Sequence, residues 1–154
     1  MDISVKMLEE FEKRVRAEGY SEDQVKTVRG NLLDASAATS AELQDPLLKD
    51  FDMVMLGLAL HHIDDIDGIL TKLVERLRPG GTLVVIDLVG DALKEMIPEG
   101  HGIAHSGWTE TEMKTIFERV GLENWGWKLF KDPLKMPDRS KYAFLARGVK
   151  PLSS

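Results

Sequence analysis

Residues 51–88 read FDMVMLGLALHHIDDIDGILTKLVERLRPGGTLVVIDL, and this stretch decides the fold. Its two nearly continuous apolar runs, 51–56 and 82–88, predict strands buried on both faces, as in a parallel sheet covered by helices. Between them, apolar residues at helical spacing predict a helix over about 65–77. The residues RPGG at 78–81 end this helix and turn the chain into the second strand. Strand, helix and strand form a βαβ unit, for which we expect a right-handed crossover.

The sequence before this unit predicts a helix and a short strand. Ser4 is a good N-cap, the apolar residues that follow it fall on one helical face, and Gly19 is placed to end the helix in a left-handed conformation. We therefore expect a helix from about Val5 to Glu18. The β-branched stretch 25–29 predicts a strand.

The C-terminal part predicts another helix and a closing pair of strands. Thr109 and Glu112 make a capping box in front of a helix over about 110–120. The stretches 124–130 and 141–147 are typical of strands, and the long polar segment between them indicates an antiparallel hairpin with a long loop. Together with the βαβ unit, these elements predict an open, mostly parallel α/β sheet with helices on both faces and a C-terminal antiparallel hairpin.

The composition excludes several classes of protein. The chain has 154 residues, enough for one domain with a core, and no cysteine, which excludes disulfides, a thiolate nucleophile and cysteine-based metal sites. It contains no apolar run of about 18 residues, so we expect no membrane partner and a cytoplasmic location. The G-x-S-x-G elbow and the phosphate-binding loop are both absent, which argues against hydrolases and NTPases.

The formal charge of −6 is unevenly distributed along the chain. Residues 31–75 carry 2 basic and 9 acidic side chains. Nucleic acid needs Lys and Arg to neutralise its phosphates, so this acidic centre argues against a nucleic-acid partner. The stretch 128–150 is locally basic, and we interpret it as a solvated surface.

Polar residues follow two of the short N-terminal segments. Ligands of open α/β sheets bind outside the carboxyl ends of the strands, which makes these positions candidates. Asp2 could bond ribose hydroxyls and Ile3 could offer an apolar face to a base, although Asp before a helix is also routine capping. Asn31 could accept a hydrogen bond from an adenine amino group, with Leu32 against the ring. A Gly-Asn pair is, however, also common in simple turns.

Glycine and histidine follow the strand over 51–56. Gly57 permits close approach of backbone to a ligand, and His61 and His62 come shortly after it. Adjacent histidines cannot share a helix or strand face, so a metal clamp is not expected, and we predict no metal. One of them could act as a base and the other as a packing residue. His101 and His105 lie in a later loop and are either further bases or surface residues.

Taken together, these segments resemble the class I S-adenosylmethionine-dependent methyltransferases, in particular the ubiquinone/menaquinone-type, small-molecule branch. The stretch 51–65 is similar to the family's fourth strand and the loop after it, and 77–87 to the entry into its fifth strand. Residues 2–8 are similar to the end of the second strand. Residues 30–32 stand where the family usually has Gly-Asp-Ala. The resemblance implies a Rossmann-like methyltransferase sheet.

The resemblance also implies a cofactor, S-adenosylmethionine, and a small-molecule methyl acceptor. The cofactor-binding residues that it implies are Asp2, Ile3, Asn31, Leu32, Gly57 and Leu58. In this pattern Asp2 bonds the ribose and Ile3 lies beside the adenine. Asn31 replaces the usual Asp but can still accept through its amide oxygen. The candidate bases are His62, His61 and His105.

The family's first strand, with its glycine-rich loop, should precede Asp2 and is absent from residues 1–154. In the family's strand order, 3-2-1-4-5-7-6, this strand is central, and losing it together with most of strand 2 would leave strands 3 and 4 about three spacings, roughly 14 Å, apart. We expect one of three outcomes: a truncated form of a longer enzyme, a strand borrowed from a partner or second copy in a homodimer, or direct closure of the sheet. The alternative function is a non-catalytic methyltransferase-like binding or assembly module, or a fragment that needs a partner strand to bind cofactor.

Overall fold

The computed structural model describes residues 1–34, 36, 42–90, 105, 107–135 and 140–152. The chain forms two compact units, Met1–Leu48 and Lys49–Ser154. The expectation that residues 1–154 make a single methyltransferase-like domain therefore stays a prediction. Within the described residues, no helix has both the length and the apolar character that crossing a membrane requires.

The first unit contains helix α1, Val5–Ala17, as predicted. Ser4 caps it, since its hydroxyl accepts a hydrogen bond from the backbone N–H of Met7 at 3.3 Å. Gly19 follows the helix with φ +86°, the left-handed conformation that glycine adopts without steric cost. None of the residues of α1 is buried. A 3-10 turn, Pro46–Leu48, ends the unit.

The predicted strand over 25–29 is reduced to one residue. Arg29 forms a parallel bridge with Asp2, and no longer ladder forms there among the described residues. The backbone N–H of Asp2 donates to Val28 O, and that of Gly30 donates to Asp2 O, both at 3.1 Å. The bridge stays short because its partner segment ends at Ser4, where the cap of α1 begins.

The second unit contains a four-stranded sheet in the order β1-β2-β6-β3. Its strands are β1 (Phe51–Gly57), β2 (Leu77–Leu88), β3 (Glu123–Leu129) and β6 (Ala143–Val149). The strands β1 and β2 are parallel, and β6 is antiparallel to both β2 and β3. Two short strands, β4 (Leu134–Lys135) and β5 (Ser140–Lys141), pair with each other. The predicted α/β fold, with its βαβ unit and closing antiparallel pair, is confirmed.

Helix α2, Ile66–Glu75, connects the parallel strands. Asp65 caps it by accepting from the backbone N–H of Gly68 at 2.9 Å. Its buried residues are Ile66, Ile69, Leu70 and Leu73, the stripe expected from the sequence. The crossover therefore covers the sheet with the apolar face of an amphipathic helix.

The predicted turn at 78–81 forms a bulge at the start of β2. Phe51 pairs with Leu77 and Met53 with Thr82, so the four residues between Leu77 and Thr82 lie opposite one residue of β1. Gly80 has φ +77° within this bulge. A Cβ on Gly81 would lie 2.7 Å from the carbonyl oxygen of Phe51, so only glycine fits there.

Helix α3, Glu110–Arg119, begins with the predicted capping box. The hydroxyl of Thr109 accepts from Glu112 N at 3.3 Å, and the Glu112 carboxylate accepts from Thr109 N at 2.9 Å. The helix buries Met113, Ile116 and Phe117. Gly121 follows with φ +79°, as expected for a residue that ends a helix.

The expectation that both apolar runs are buried on both faces is correct for β2 and wrong for β1. Leu83 and Val85 of β2 are fully buried. Met53 and Met55 of β1 are 59% and 63% exposed. The physical reason is that neighbouring strands cover only the edges of a strand, whereas helix α2 packs against β2 and leaves the face of β1 that carries Met53 and Met55 open.

Candidate functional site

The bridge in the first unit brings two predicted cofactor-binding segments together. Gly30 N donates a hydrogen bond to Asp2 O, so Asn31 lies one residue beyond the contact between the two segments. Asp2 is partly buried, and its Oδ1 accepts from Ser4 N at 2.8 Å. The carboxylate therefore takes part in the local turn and has a second oxygen to offer a ligand.

The other predicted residues of this unit differ in exposure. The amide oxygen of Asn31 accepts from Leu33 N at 3.0 Å, the geometry of an Asx turn. Leu32 is buried, at 7% exposure, whereas Ile3 is 66% exposed. Leu32 thus packs inside its own unit, and the side chain of Ile3 is accessible to a ligand.

Gly57 and Leu58 lie where β1 ends. A Cβ on Gly57 would meet no atom within 4 Å, so there is open space beside its backbone. Leu58 has φ +51° and its N–H donates to Ile86 O at 2.7 Å, which ties it to β2. A left-handed conformation costs a non-glycine residue about 1–2 kcal/mol, and it leaves this side chain 45% exposed. No local sequence pattern indicates this backbone geometry.

A buried pair, His61 and Asp87, forms the centre of the second unit's candidate site. His61 belongs to a 3-10 turn, Leu60–His62, that follows β1, and Asp87 lies near the end of β2. The His61 Nδ1 and Asp87 Oδ1 atoms are 2.7 Å apart. Asp87 is fully buried and the His61 side chain is 9% exposed.

The Asp87 carboxylate accepts from two backbone N–H groups as well. His61 N donates to Oδ2 at 3.3 Å, and Leu88 N donates to Oδ1 at 2.6 Å. Because the carboxylate already accepts two backbone N–H groups, the side-chain contact is satisfied with Nδ1 of His61 as the donor. The pair therefore fixes the orientation of the imidazole and leaves Nε2 as its basic nitrogen.

The other histidine candidates adjoin this pair. His105 N donates to His61 O at 3.1 Å, and the rings of His105 and Trp108 have centroids 4.5 Å apart. The ring of His62 is 4.1 Å from that of His61 and is exposed. We call His61, Asp87, His105 and Trp108 the histidine cluster. His101 lies outside the described residues.

Sequence reasoning missed Asp87 as a functional residue. The signal was present, since an acidic side chain in the apolar strand TLVVIDL must be buried and therefore needs hydrogen-bond partners. In the described residues no group of three or more His, Cys, Asp or Glu is arranged to hold a metal ion.

Comparison with known proteins identifies a family. Residues 1–83 match a family model described as a methyltransferase domain. Over 87 residues the chain is 32% identical to an uncharacterized methyltransferase of Schizosaccharomyces pombe. That match covers 52% of this chain and 31% of the yeast protein, so the matched half of the chain spans about a third of that relative's length.

Solved structures share the fold. The YcgJ protein of Bacillus subtilis matches with a TM-score of 0.69 at 13% identity, over 97% of this chain and 80% of that one. A putative methyltransferase of Bacillus halodurans C-125 matches with a TM-score of 0.64 at 16% identity, over 97% and 81% of the two chains. At these identities the likeness concerns the fold alone.

Proposed function

The chain belongs to the methyltransferase domain family, and from that premise we propose that it methylates a small molecule with S-adenosylmethionine as donor. The observation that carries the proposal is the buried His61–Asp87 pair with its 2.7 Å contact. Such a pair suits an acceptor whose nucleophilic atom must lose a proton, because it presents an oriented imidazole as base. The ubiquinone/menaquinone-type branch stays a prediction.

The residues at the strand ends fit the proposed cofactor. When bound, S-adenosylmethionine supplies a methyl group on a positively charged sulfur. The Asp2 carboxylate would accept from ribose hydroxyls, and Asn31 from the adenine amino group through the second lone pair of its amide oxygen. In the second unit, considered on its own, the backbone of Gly57 has open space beside it for a ligand.

His61 would take the proton in the transfer step. An acceptor O–H or N–H would lose its proton to Nε2 of His61, and the electron pair freed on the acceptor would take up the methyl group that S-adenosylmethionine supplies when bound, the electrons of the former carbon–sulfur bond staying on sulfur. Asp87 contributes by holding the ring and by stabilising the imidazolium that forms.

The proposal is tested by transfer of labelled methyl from S-adenosylmethionine to catechol and to 4-hydroxybenzoate. We expect label in the methylated product with the unchanged chain, and a loss of about 10²–10⁴-fold in His61→Gln. Thr111→Ala, at an exposed position of α3, serves as the control and should keep full activity. Transfer that is equally fast in His61→Gln would contradict the role of His61.

A second role, self-association, is favoured by the exposed strand β1. We propose that this edge pairs with the same edge of a second copy, in antiparallel orientation about Val54. In that register Met53 lies opposite Met55, and the only charge of the strand, Asp52, lies opposite Leu56, so no like charges meet. Edge strands without inward charges or proline are prone to such pairing.

Sedimentation equilibrium tests the self-association. One pair of strands buries less than the roughly 1,200–2,000 Å² of a standard interface, so we expect a weak dimer at about 100 μM. Met55→Lys should give a monomer because two lysines would then lie in the new interface. Thr111→Lys, at an exposed site of α3, adds the same charge away from the edge strands and is the control. A monomeric unchanged chain at this concentration would contradict the proposal.

A further inference from the structure

Trp108 carries a buried hydrogen-bond donor without a partner. The residue is 6% exposed, and within the described part of the chain no acceptor lies within hydrogen-bond distance of its Nε1. An indole N–H only donates, so it can be satisfied by an oxygen or nitrogen acceptor and by nothing else. Unpaired buried donors are rare in folded proteins because they lose their bonds to water without replacement. This one therefore needs an explanation.

The backbone around Trp108 is held firmly at the end of β2. Its N–H donates to Leu88 O at 3.0 Å, and its carbonyl accepts from Gly90 N at 3.0 Å, as part of a parallel bridge with Val89. A Cβ on Gly107 would lie 2.6 Å from Gly90 N, so the segments approach as closely as glycine allows. The backbone of Trp108, from which the indole projects, is thus held by the sheet.

The unpaired donor belongs to the histidine cluster. The Trp108 ring contacts the His105 ring, and the backbone of His105 is bonded to that of His61, whose side chain Asp87 holds. Each of these residues lies at the carboxyl end of β1 or β2 or in the segment that pairs there. This is the edge at which open α/β sheets bind ligands.

We propose that Trp108 Nε1–H donates a hydrogen bond to an oxygen atom of the methyl acceptor and so selects acceptors that carry such an oxygen. The inference rests on the proposed function, because it takes the histidine cluster as the acceptor site. His61 then accepts a proton from the nucleophile while Trp108 holds a second, hydrogen-bond-accepting oxygen. A compound without that oxygen leaves the donor unpaired, and sites of this kind discriminate strongly against such analogues.

NMR of the indole protons tests this directly on the full chain. The three tryptophans give three indole N–H signals, which Trp→Phe variants assign. We titrate the ¹⁵N-labelled chain with anisole and with toluene, which differ by an ether oxygen that only accepts. The Trp108 signal should move downfield with anisole and not with toluene, whereas the signal of Trp127, which stacks on Phe144, should not move with either.

Two results would overturn the proposal: no selective shift of the Trp108 signal with anisole, or a signal that already has the position of a hydrogen-bonded proton without ligand. Trp108→Phe gives the second test, since it removes the N–H and keeps an aromatic ring. In the labelled-methyl assay we expect its KM for 4-hydroxybenzoate to rise about tenfold, with kcat little changed.

Trp127→Phe loses the same ring volume and is the matched control, with an unchanged KM. An equal rise of KM in both variants would contradict the role of Trp108, because it would reflect lost packing. The proposed methyl transfer and the proposed role of Trp108 can be contradicted independently of each other. An anisole-selective shift without methyl transfer would contradict the proposed function alone, and transfer without the shift would contradict the role of Trp108 alone.

Discussion

The strands β1 and β2 are similar in sequence and different in surroundings. Both are apolar runs that end in the candidate site, and they pair in parallel. In β2, Leu83 and Val85 are fully buried, while in β1, Met53 and Met55 are more than half exposed. An apolar run thus predicts a strand reliably, whereas the burial of its side chains depends on which elements pack over the faces of the strand.

The same difference explains the chemistry of the two strands' charged residues. Asp87 of β2 is fully buried and accepts three N–H groups, whereas Asp52 of β1 is exposed and bonds Arg78 at the surface, at 2.7 Å. A buried carboxylate must be fully bonded, and this requirement orients His61. Burial of β2 is therefore what makes an ordered His–Asp pair possible.

The largest expected effect comes from truncating a core side chain of β2. Leu83→Ala should lower the free energy of unfolding by about 2–5 kcal/mol, because it leaves a cavity in a closed environment. The matched change on the edge strand, Met55→Ala, should cost about 0.5 kcal/mol or less. Urea unfolding of both variants measures the difference. Equal losses of unfolding free energy in the two variants would show that the Met55 side chain is buried in solution, which contradicts its exposure in the structure.

The next effect concerns the charged residues of the two strands. Asp87→Asn keeps the shape of the side chain but turns an NH₂ toward N–H donors, so unfolding free energy should fall by about 1–3 kcal/mol. Asp52→Asn removes only an exposed ion pair and should cost about 0–1 kcal/mol. Thermal unfolding of the two variants compares them directly. If Asp52→Asn lowered the free energy of unfolding more than Asp87→Asn, the conclusion that burial makes the hydrogen bonds of Asp87 more important would be contradicted.

The smallest effect is expected at the start of α3, just beyond the segment that pairs with the end of β2. Thr109→Ala removes half of the capping box and should cost about 1 kcal/mol in urea unfolding. Thr111→Ala, at an exposed position of the first turn without a capping role, serves as control and should lie within about 0.5 kcal/mol of the unchanged chain. Equal effects would mean that the cap contributes nothing measurable.

Much of the fold follows from local sequence signals. Helix α1 begins after Ser4 and α3 after Thr109 because their hydroxyls satisfy free N–H groups, an effect that needs no tertiary information. The βαβ unit follows from the apolar runs and the stripe of α2. The strand expected over 25–29 failed because its length depends on a partner segment, which Ser4 ends after one pair.

The candidate site was less accessible to sequence reasoning. His61 and His62 were equivalent candidates in the sequence, and only the contact with Asp87, 26 positions away, separates them. Two further features depend on packing between distant segments: the left-handed backbone of Leu58 and the unpaired N–H of Trp108. No local sequence pattern predicts either of them. Which of the predicted cofactor-binding residues act together stays a prediction.

Binding of the methyl donor is the most direct test of the central claim. Titration calorimetry of the full chain with S-adenosylmethionine, and with its demethylated product, measures it without knowledge of the acceptor. The account predicts saturable binding of both at one site, weakened about tenfold by Asp2→Ala, which removes a hydrogen-bonding partner of the ribose. The absence of detectable binding of either compound at millimolar concentration would contradict it.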